Sequence, residues 1–101
     1  MHGVSDAVLD EAARRFSLLS DPTRLRVVRA LLERDGATVG ELAGLVGTSL
    51  PNVSQHLSRL QSGGVVRRRR DGRSVRYAIA DPTIAGLCEV VCRSVAERAV
   101  G

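Results

Sequence analysis

Side chains that can make hydrogen bonds collect on one side of residues 50–60. At 100° per residue, Val53, Leu57 and Leu60 form a narrow apolar stripe on a helix, and the opposite side is polar, short-chained and free of acidic residues. The members of that polar side are Pro51, Asn52, Gln55, Ser58 and Arg59. Amide and guanidinium groups presented by a helix suit the edges of DNA bases. An ordinary helical hairpin with a solvated face is the alternative interpretation.

Basic residues cluster a few positions further along the chain. All 15 basic residues are Arg, the formal net charge is +4, and the pI is about 10.4. Six of the arginines lie within ten positions: Arg67, Arg68, Arg69, Arg70, Arg73 and Arg76. A local basic stripe of this kind is what phosphate groups require.

Two short helices joined by a tight turn are predicted over residues 38–60. Thr38 with Glu41 makes a capping box, and Gly47 ends the first helix because it tolerates a positive φ. Thr48 or Ser49 can cap the second helix. This order of features is the helix-turn-helix pattern, in which the second helix enters the DNA major groove.

Three more helices are predicted. The first is capped by Ser5 or Asp6 and runs through Leu19. The second begins at Asp21-Pro22 and runs to about Glu33, and the last begins at Asp81-Pro82 and runs to about Ala99. The second helix is expected to bury Leu25, Val28, Leu31 and Leu32. The last helix is expected to carry an apolar stripe of Ile84, Leu87, Cys88, Val91 and Val95.

A hairpin is predicted between the helix-turn-helix and the last helix. The pattern changes to a period of two in Val65–Arg70 and Ser74–Ile79, and Asp71-Gly72 between them is typical of a hairpin turn. Alternation in the second strand predicts one buried face. Next to a helix-turn-helix, this arginine-rich hairpin is interpreted as a wing that grips DNA, and an edge hairpin that uses charge against aggregation is the alternative.

The whole chain is expected to be one domain, residues 1–101, with a flexible arm at 1–5, the helix-turn-helix at 38–60, the wing at 65–79 and a dimerisation helix at 82–99. Apolar residues make up 44% and aromatic residues only 2%, so the core must be aliphatic. No apolar run is long enough to span a bilayer, and no signal peptide is recognisable, so a cytoplasmic protein without membrane partners is expected. We do not expect an enzyme, because no nucleophile stands beside an oriented base.

These motifs together resemble the ArsR/SmtB family of winged-helix transcriptional regulators, over nearly the whole chain. The resemblance is carried by LSDPTRLRVV at 19–28, NVSQHLSRL at 52–60, Gly64-Val65-Val66, Asp71-Gly72-Arg73 and Tyr77. It implies a mainly α fold with a small two-stranded β wing, five helices, and a homodimer formed through the first and last helices. It also implies a repressor that binds a palindromic operator in double-stranded DNA and leaves it when a metal ion or oxidant binds.

The same resemblance assigns DNA contacts residue by residue. The implied positions are Ser49, Pro51, Asn52, Ser54, Gln55, His56 and Arg59, with Arg70 and Arg73 in the wing. For His56, packing against the helix backbone is the alternative.

The metal sites of the family are only partly present. Many members carry Cys-x-Cys in the first helix of the helix-turn-helix, but residues 41–45 contain no thiol. A second family site, on the last helix, maps onto Asp81, Thr83, Ser94 and Glu97. Both carboxylates remain, whereas both imidazoles are replaced by hydroxyls, which are poor zinc ligands.

A nitrogen ligand for those carboxylates can come from His2. Residues 1–4, MHGV, resemble the start of a nickel and cobalt sensor of this family. Asp81 and Glu97 lie about 24 Å apart along one helix, so only an antiparallel partner helix can bring Asp81 beside the other chain's Glu97. The predicted set of His2, Asp81 and Glu97 suits a divalent metal ion, with nickel favoured and zinc or cobalt as alternatives. Solvated carboxylates with a disordered N-terminus are the other interpretation.

Cys88 and Cys92 form a rival site. Residues four apart project from one helix face, and antiparallel last helices would gather four thiols for metal, persulfide or disulfide chemistry. Alternatively, both cysteines are small buried residues at a dimer interface. Two further hypotheses remain open: a DNA-binding subunit that has no effector and is controlled by a regulatory protein partner, and a pure dimerisation module.

Overall fold

The computed structural model describes residues 2–100, with side chains up to Ala99. Met1 and Gly101, which belong to the predicted domain, lie outside the described residues. The elements follow the order α1 (Asp6–Leu18), α2 (Pro22–Leu32), α3 (Val39–Val46), α4 (Leu50–Ser62), β1 (Val66–Asp71), β2 (Ser74–Ile79) and α5 (Pro82–Val100). Five helices with one two-stranded antiparallel sheet confirm the predicted fold class.

Each helix starts at a residue whose side chain accepts a hydrogen bond from a backbone N–H of the first turn, which would otherwise lack an acceptor. The accepting residues are Ser5, Asp21, Thr38, Ser49 and Asp81. At Thr38 the predicted capping box is present in both directions, with Glu41 accepting from the Thr38 N–H at 3.2 Å. Local hydrogen bonding therefore sets all five helix starts, as the sequence predicted.

The turn between α3 and α4 depends on Gly47. Its φ is +78°, a left-handed conformation that favours glycine, and its N–H donates to the Ala43 carbonyl at 2.9 Å. Ser49 then caps α4 two residues later. The two helices of the predicted helix-turn-helix are thus separated by only three residues.

The core is aliphatic and is built around α2 and α4. Its fully buried side chains are Leu31, Leu42, Leu57, Leu60, Val27, Val28, Val53 and Val65. The predicted buried side of α2 was partly wrong: Val27 and Ala30 are buried, whereas Leu25 is half-buried and Leu32 is 40% exposed. The other elements pack on a side of α2 rotated by about 90° from the predicted one, since each residue turns the helix by 100°.

The first wing strand lies one residue further along the chain than predicted, at Val66–Asp71 rather than Val65–Arg70. Asp71 pairs with Ser74, so the turn residues are Gly72 and Arg73 rather than Asp71 and Gly72. Gly72 has a φ of +63° and Arg73 does not have a positive φ, which matches a type II′ turn with glycine in its first central position. Reciprocal backbone hydrogen bonds of 3.0 and 2.8 Å join Ala37 to Tyr77 and attach the hairpin to the segment before α3.

Burial in β2 does not alternate as predicted. Tyr77 and Ile79 pack against the core, but residues 75–79 are all half-buried. Arg76, on the other face, is partly covered because it forms ion pairs with Glu41 and Asp71. The predicted core-facing side is therefore present at Tyr77 and Ile79 but only half-buried, and the opposite side is partly covered as well.

The two terminal helices keep apolar side chains in solvent. α1 contains no buried residue, and its Val8, Leu9 and Phe16 are exposed. On α5 the predicted apolar stripe is buried only at its start, because Ile84 and Cys88 are buried while Val91 and Val95 are exposed. No helix within residues 2–100 has the length and apolar character needed to cross a membrane.

Candidate nucleic-acid interface

One side of helix α4 packs against the core, and the opposite side is exposed to solvent. Val53, Leu57 and Leu60 are fully buried, as predicted, and anchor the helix to the core. The opposite surface presents exposed residues over more than three turns: Pro51, Ser54, Gln55, Ser58, Arg59 and Ser62. A rigidly seated helix with amides, hydroxyls and a guanidinium facing solvent has the groups needed to read base edges.

Asn52 is used within the protein. Its Nδ2 donates to Thr48 Oγ1 at 2.9 Å, across the helix-turn-helix turn, and the side chain is half-buried. The structure therefore separates Asn52 from the fully exposed candidates. Thr48, which the sequence suggested only as a possible cap, instead accepts this side-chain bond while Ser49 caps α4.

His56 also points towards the scaffold. The residue is half-buried, and its Nδ1 is inaccessible to solvent with no hydrogen-bond partner in the described part of the chain. The pKa of Asp21, the α2 cap, is lowered mainly by the hydrogen bond from the Arg24 backbone N–H, and His56 makes a smaller electrostatic contribution. This position agrees with the packing alternative for His56 and separates it from the exposed face of α4.

The wing carries its arginines in solvent. Arg67, Arg68, Arg69 and Arg70 along β1 are exposed, and so is Arg73 in the turn. Arg76 differs, because its guanidinium lies 3.3 Å from Glu41 and 3.4 Å from Asp71. It ties the wing to α3, a role that its place in the basic cluster did not reveal.

Glu41 connects this tie to the capping box. Hydrogen bonds from the backbone N–H and hydroxyl of Thr38 hold the pKa of Glu41 below its ordinary value, and Arg76 lowers it further. The carboxylate is consequently charged at neutral pH and couples α3, the wing and the start of the helix-turn-helix.

The predicted nitrogen and oxygen ligands are not together in one chain. Asp81 Oδ1 accepts from the Thr83 N–H at 3.0 Å, and Asp81 Oδ2 accepts from Arg15 at 2.8 Å, so both carboxylate oxygens already have partners. His2 and Glu97 are exposed. Among the residues that the structure describes, no three His, Cys, Asp or Glu side chains are grouped to hold a metal ion.

The two cysteines line a groove of about 590 Å³ between α2 and α5. Its apolar floor includes Leu25 and Leu32, and Arg26 is among its charged residues. Within one chain only Cys88 is buried and Cys92 is exposed, so the expectation that both are buried would require a second surface. Burial raises the pKa of the Cys88 thiol, and Cys92 raises it further, so Cys88 is protonated at neutral pH.

Comparisons with known proteins agree with this geometry. A family profile described as a helix-turn-helix domain matches residues 19–69. Over 78 residues the chain is 45% identical to a protein of Streptomyces lividans named as a probable mercury resistance operon repressor, which covers 77% of this chain. The chain spans 62% of the length of that relative.

Solved structures match the entire fold. The crystal structure of an antimony-specific transcriptional repressor, AntR, superposes with a TM-score of 0.89 at 30% identity, covering all of this chain and 91% of that one. The solution structure of a homodimeric winged helix-turn-helix DNA-binding domain from Mycobacterium bovis has a TM-score of 0.81 at 34% identity, covering 99% of this chain and 94% of that one.

Proposed function

This chain belongs to the ArsR/SmtB family of winged helix-turn-helix transcriptional regulators, and we propose that it acts as a dimeric repressor that binds a palindromic DNA operator. The observation that carries the proposal is helix α4, whose apolar stripe is fully buried while its opposite face offers hydrogen-bonding groups beside an arginine-rich wing. We propose that it binds DNA in the cytoplasm.

In this proposal α4 lies in the major groove. Gln55 is the best candidate for reading a base, because a primary amide can pair bidentately with adenine. Arg59 can pair with guanine or a phosphate, and the small side chains of Ser54 and Pro51 allow close approach. Asn52 and His56 act as positioning residues, since the first bonds Thr48 and the second turns its Nδ1 away from solvent.

The wing arginines and the capped start of α4 would contact the DNA backbone. Arg70 and Arg73 are exposed at the hairpin end, where they can neutralise phosphates without contacting bases. Ser49 already uses its hydroxyl as the α4 cap, so its contribution to DNA would pass through the start of the helix. Affinity should therefore depend strongly on salt.

A second copy of the chain would cover the exposed apolar residues of α1 and α5. In a single chain the exposed fraction is 42–62% for four of these side chains: Leu9 and Phe16 on α1, and Val91 and Val95 on α5. The Mycobacterium bovis domain named as homodimeric supports this assembly. Two-fold symmetry would present two α4 helices to half-sites about 34–36 Å apart.

Release of DNA by a metal ion is the proposed regulation, with two candidate sites. The first is the nitrogen and oxygen set of His2, Asp81 and Glu97 for nickel, zinc or cobalt; a metal there must displace Arg15 from Asp81. The second is the thiol pair Cys88 and Cys92. Mercury and antimony, which the names of two similar proteins mention, are soft elements that prefer thiolates. The occupied carboxylate of Asp81 and these names together favour the thiol pair.

One binding experiment tests the DNA proposal and separates the two metal sites. The operator is first selected from random duplexes, and fluorescence anisotropy then measures affinity with and without nickel or mercury. The variants are His2→Ala, Asp81→Asn with Glu97→Gln, and Cys88→Ala with Cys92→Ala. Asp81→Asn is chosen because asparagine still caps α5.

Each result identifies one arrangement. If only the cysteine variant loses its response to metal, the thiols form the site. If the histidine and carboxamide variants lose a nickel response, the nitrogen and oxygen set does. Sequence-specific binding that no metal changes would favour a subunit controlled by a partner protein, and a failure to select any duplex would contradict the DNA proposal itself.

A further inference from the structure

We propose that an open groove between α1, α2 and the C-terminal half of α4 is a phosphate-binding site. The groove encloses about 570 Å³ and is lined by four arginines: Arg14, Arg15, Arg24 and Arg59. One carboxylate, Glu11, also lines it. Such a concentration of guanidinium groups in one concave surface has the charge and geometry that an oxyanion needs.

The four arginines are not equally free. Arg14 and Arg15 both bind Glu11, at 3.0 and 3.3 Å, and Arg15 also binds Asp81 at 2.8 Å. Arg24 and Arg59, by contrast, form no ion pair with any residue in the 2–100 range. The uncompensated positive charge of the groove therefore sits on α2 and on the recognition helix.

The Arg24 side chain is fixed by one hydrogen bond and also has an unpaired hydrogen-bond donor. Its Nη1 donates to the Leu18 carbonyl at 3.3 Å, which fixes the guanidinium at the end of α1. Its Nε is inaccessible to solvent and has no acceptor within the described chain. Buried donors of folded proteins are almost always bonded, so this unpaired Nε is unusual. A small shift of the Arg24 side chain would be needed to bring it to an anion in the groove.

Serine hydroxyls complete the groove. Ser58 and Ser62, one turn apart on α4, line it together with Arg59. Rotatable hydroxyls beside planar guanidinium forks can donate to several oxygens of a tetrahedral anion at once. A planar carboxylate would use fewer of these donors, which is why phosphate is the ligand class chosen.

The groove stays open in the proposed dimer. On α1, Arg14 and Leu18 lie on the side opposite Leu9 and Phe16, because at 100° per residue each is turned by about 140–180° from those two residues. Gly63 forms part of one wall: a Cβ there would lie 2.1 Å from Leu18 Cδ1, so a larger residue at this position would require the Leu18 side chain to shift. The phosphate can come from a free anion or from the DNA backbone, and the second source rests on the proposed DNA binding.

Titration of the full-length dimer with inorganic phosphate tests the free-anion source. Phosphate replaces chloride at constant ionic strength, and the side-chain Nε–H resonance of Arg24 is followed by nitrogen-edited NMR. Saturable binding is expected to weaken by about 10- to 100-fold in Arg24→Gln and in Arg59→Gln, the range for losing a hydrogen bond to a charged group. Arg26→Gln, on the same helix but outside the groove, is the matched control and should leave binding unchanged.

The DNA source gives a different pattern with the same variants. If a backbone phosphate occupies the groove, Arg24→Gln should reduce the salt dependence of operator binding by roughly one contact, while Arg26→Gln does not. Arg24→Lys, which retains the charge, keeps the test valid if Arg24→Gln unfolds. The proposal is overturned if phosphate binding is absent or independent of Arg24 and Arg59, and the salt dependence is also unchanged; the arginines would then only neutralise the carboxyl ends of α1 and α4.

Discussion

The helix-turn-helix and the pair of terminal helices differ in how far they bury their apolar side chains within one chain. α3 and α4 fully bury Leu42, Val53, Leu57 and Leu60, although Leu45 and Leu50 are more than half exposed. α1 buries none, and α5 leaves the second half of its stripe in solvent. The helix-turn-helix is therefore anchored by its own chain, whereas the terminal helices leave an apolar surface that a second copy would cover in the proposed dimer.

The polar residues follow this division only in part. Around the helix-turn-helix, caps and ion pairs such as Thr38 with Glu41 and Arg76 with Glu41 form within one chain. Arg15 and Asp81 likewise join α1 to the start of α5 within one chain, whereas Cys92 and Glu97 on α5 are exposed. In the proposed function, DNA reading would belong to the protomer and regulation to the dimer. Substitutions in either region test this contrast.

The largest effect is expected from Leu57→Ala. Leu57 is fully buried at the centre of α4, so the cavity should lower the free energy of unfolding by about 2–5 kcal/mol. Leu45→Ala on α3 is the matched control, because Leu45 is 54% exposed and should change stability by less than about 0.5 kcal/mol. Urea unfolding measures the stability of both variants. Equal losses of stability would show that the Leu45 side chain on α3 is buried as well.

Phe16→Ser should act on the assembly rather than on the fold. Phe16 is 57% exposed in one chain, and losing the burial of an aromatic ring at an interface costs about 1.5–3 kcal/mol. Sedimentation equilibrium should show weaker dimerisation by roughly tenfold or more. Leu45→Ser, equally exposed but outside α1 and α5, should remain as dimeric as the original chain; dissociation in neither variant would place the interface elsewhere.

Gln55→Ala should weaken binding to the preferred operator by about 1–3 kcal/mol and relax the preference at one base pair. The fold should be unaffected because Gln55 is exposed. Gln61→Ala, on another side of α4, serves as the control. Equal losses on operator and random DNA would mean that Gln55 touches only the backbone.

The wing arginines are expected to contribute to DNA affinity equally on every base sequence. Replacing Arg70 and Arg73 with Ala should lower affinity on every sequence and make the salt slope shallower by roughly one unit per lost phosphate contact. Affinity measured over a series of salt concentrations provides the slope. An unchanged slope would leave these arginines with a solubilising role, and Arg29→Ala on α2 controls for the loss of net charge.

The smallest expected effect is the acid sensitivity set by Glu41. Its folded pKa lies below its ordinary value of 4.5, so its stabilisation is fully present above that value and is lost as the pH falls through the folded pKa. Glu41→Gln keeps a capping side chain but should flatten this part of the stability curve. Thermal unfolding between neutral and acidic pH measures this loss of stability. Glu33→Gln, at an exposed position, is the control. Identical stability curves for the two variants would show that Glu41 does not cause the acid sensitivity.

Much of the fold could be read from local sequence because its causes are local. A side-chain cap, a proline at the first helical position and a glycine with positive φ act within a few residues, which is why Asp21-Pro22, Thr38 with Glu41, and Gly47 marked their elements correctly. The buried stripe of α4 was equally clear, since 3.6-residue periodicity reports a helix packed on one side.

Tertiary structure alone decided which side of α2 is buried, where the wing turns and where His56 points. A helix with leucine and valine around most of its circumference, such as α2, has several possible buried sides, and only its contacts with α3, α4 and β2 select one. Hydrogen bonds between Ala37 and Tyr77 attach β2 to the segment before α3, and the pairing of Asp71 with Ser74 places the turn at Gly72 and Arg73. Asp81 likewise has the spacing of a metal ligand in the sequence but binds Arg15, because ion pairs between residues 66 positions apart depend on the packed fold and leave no local pattern.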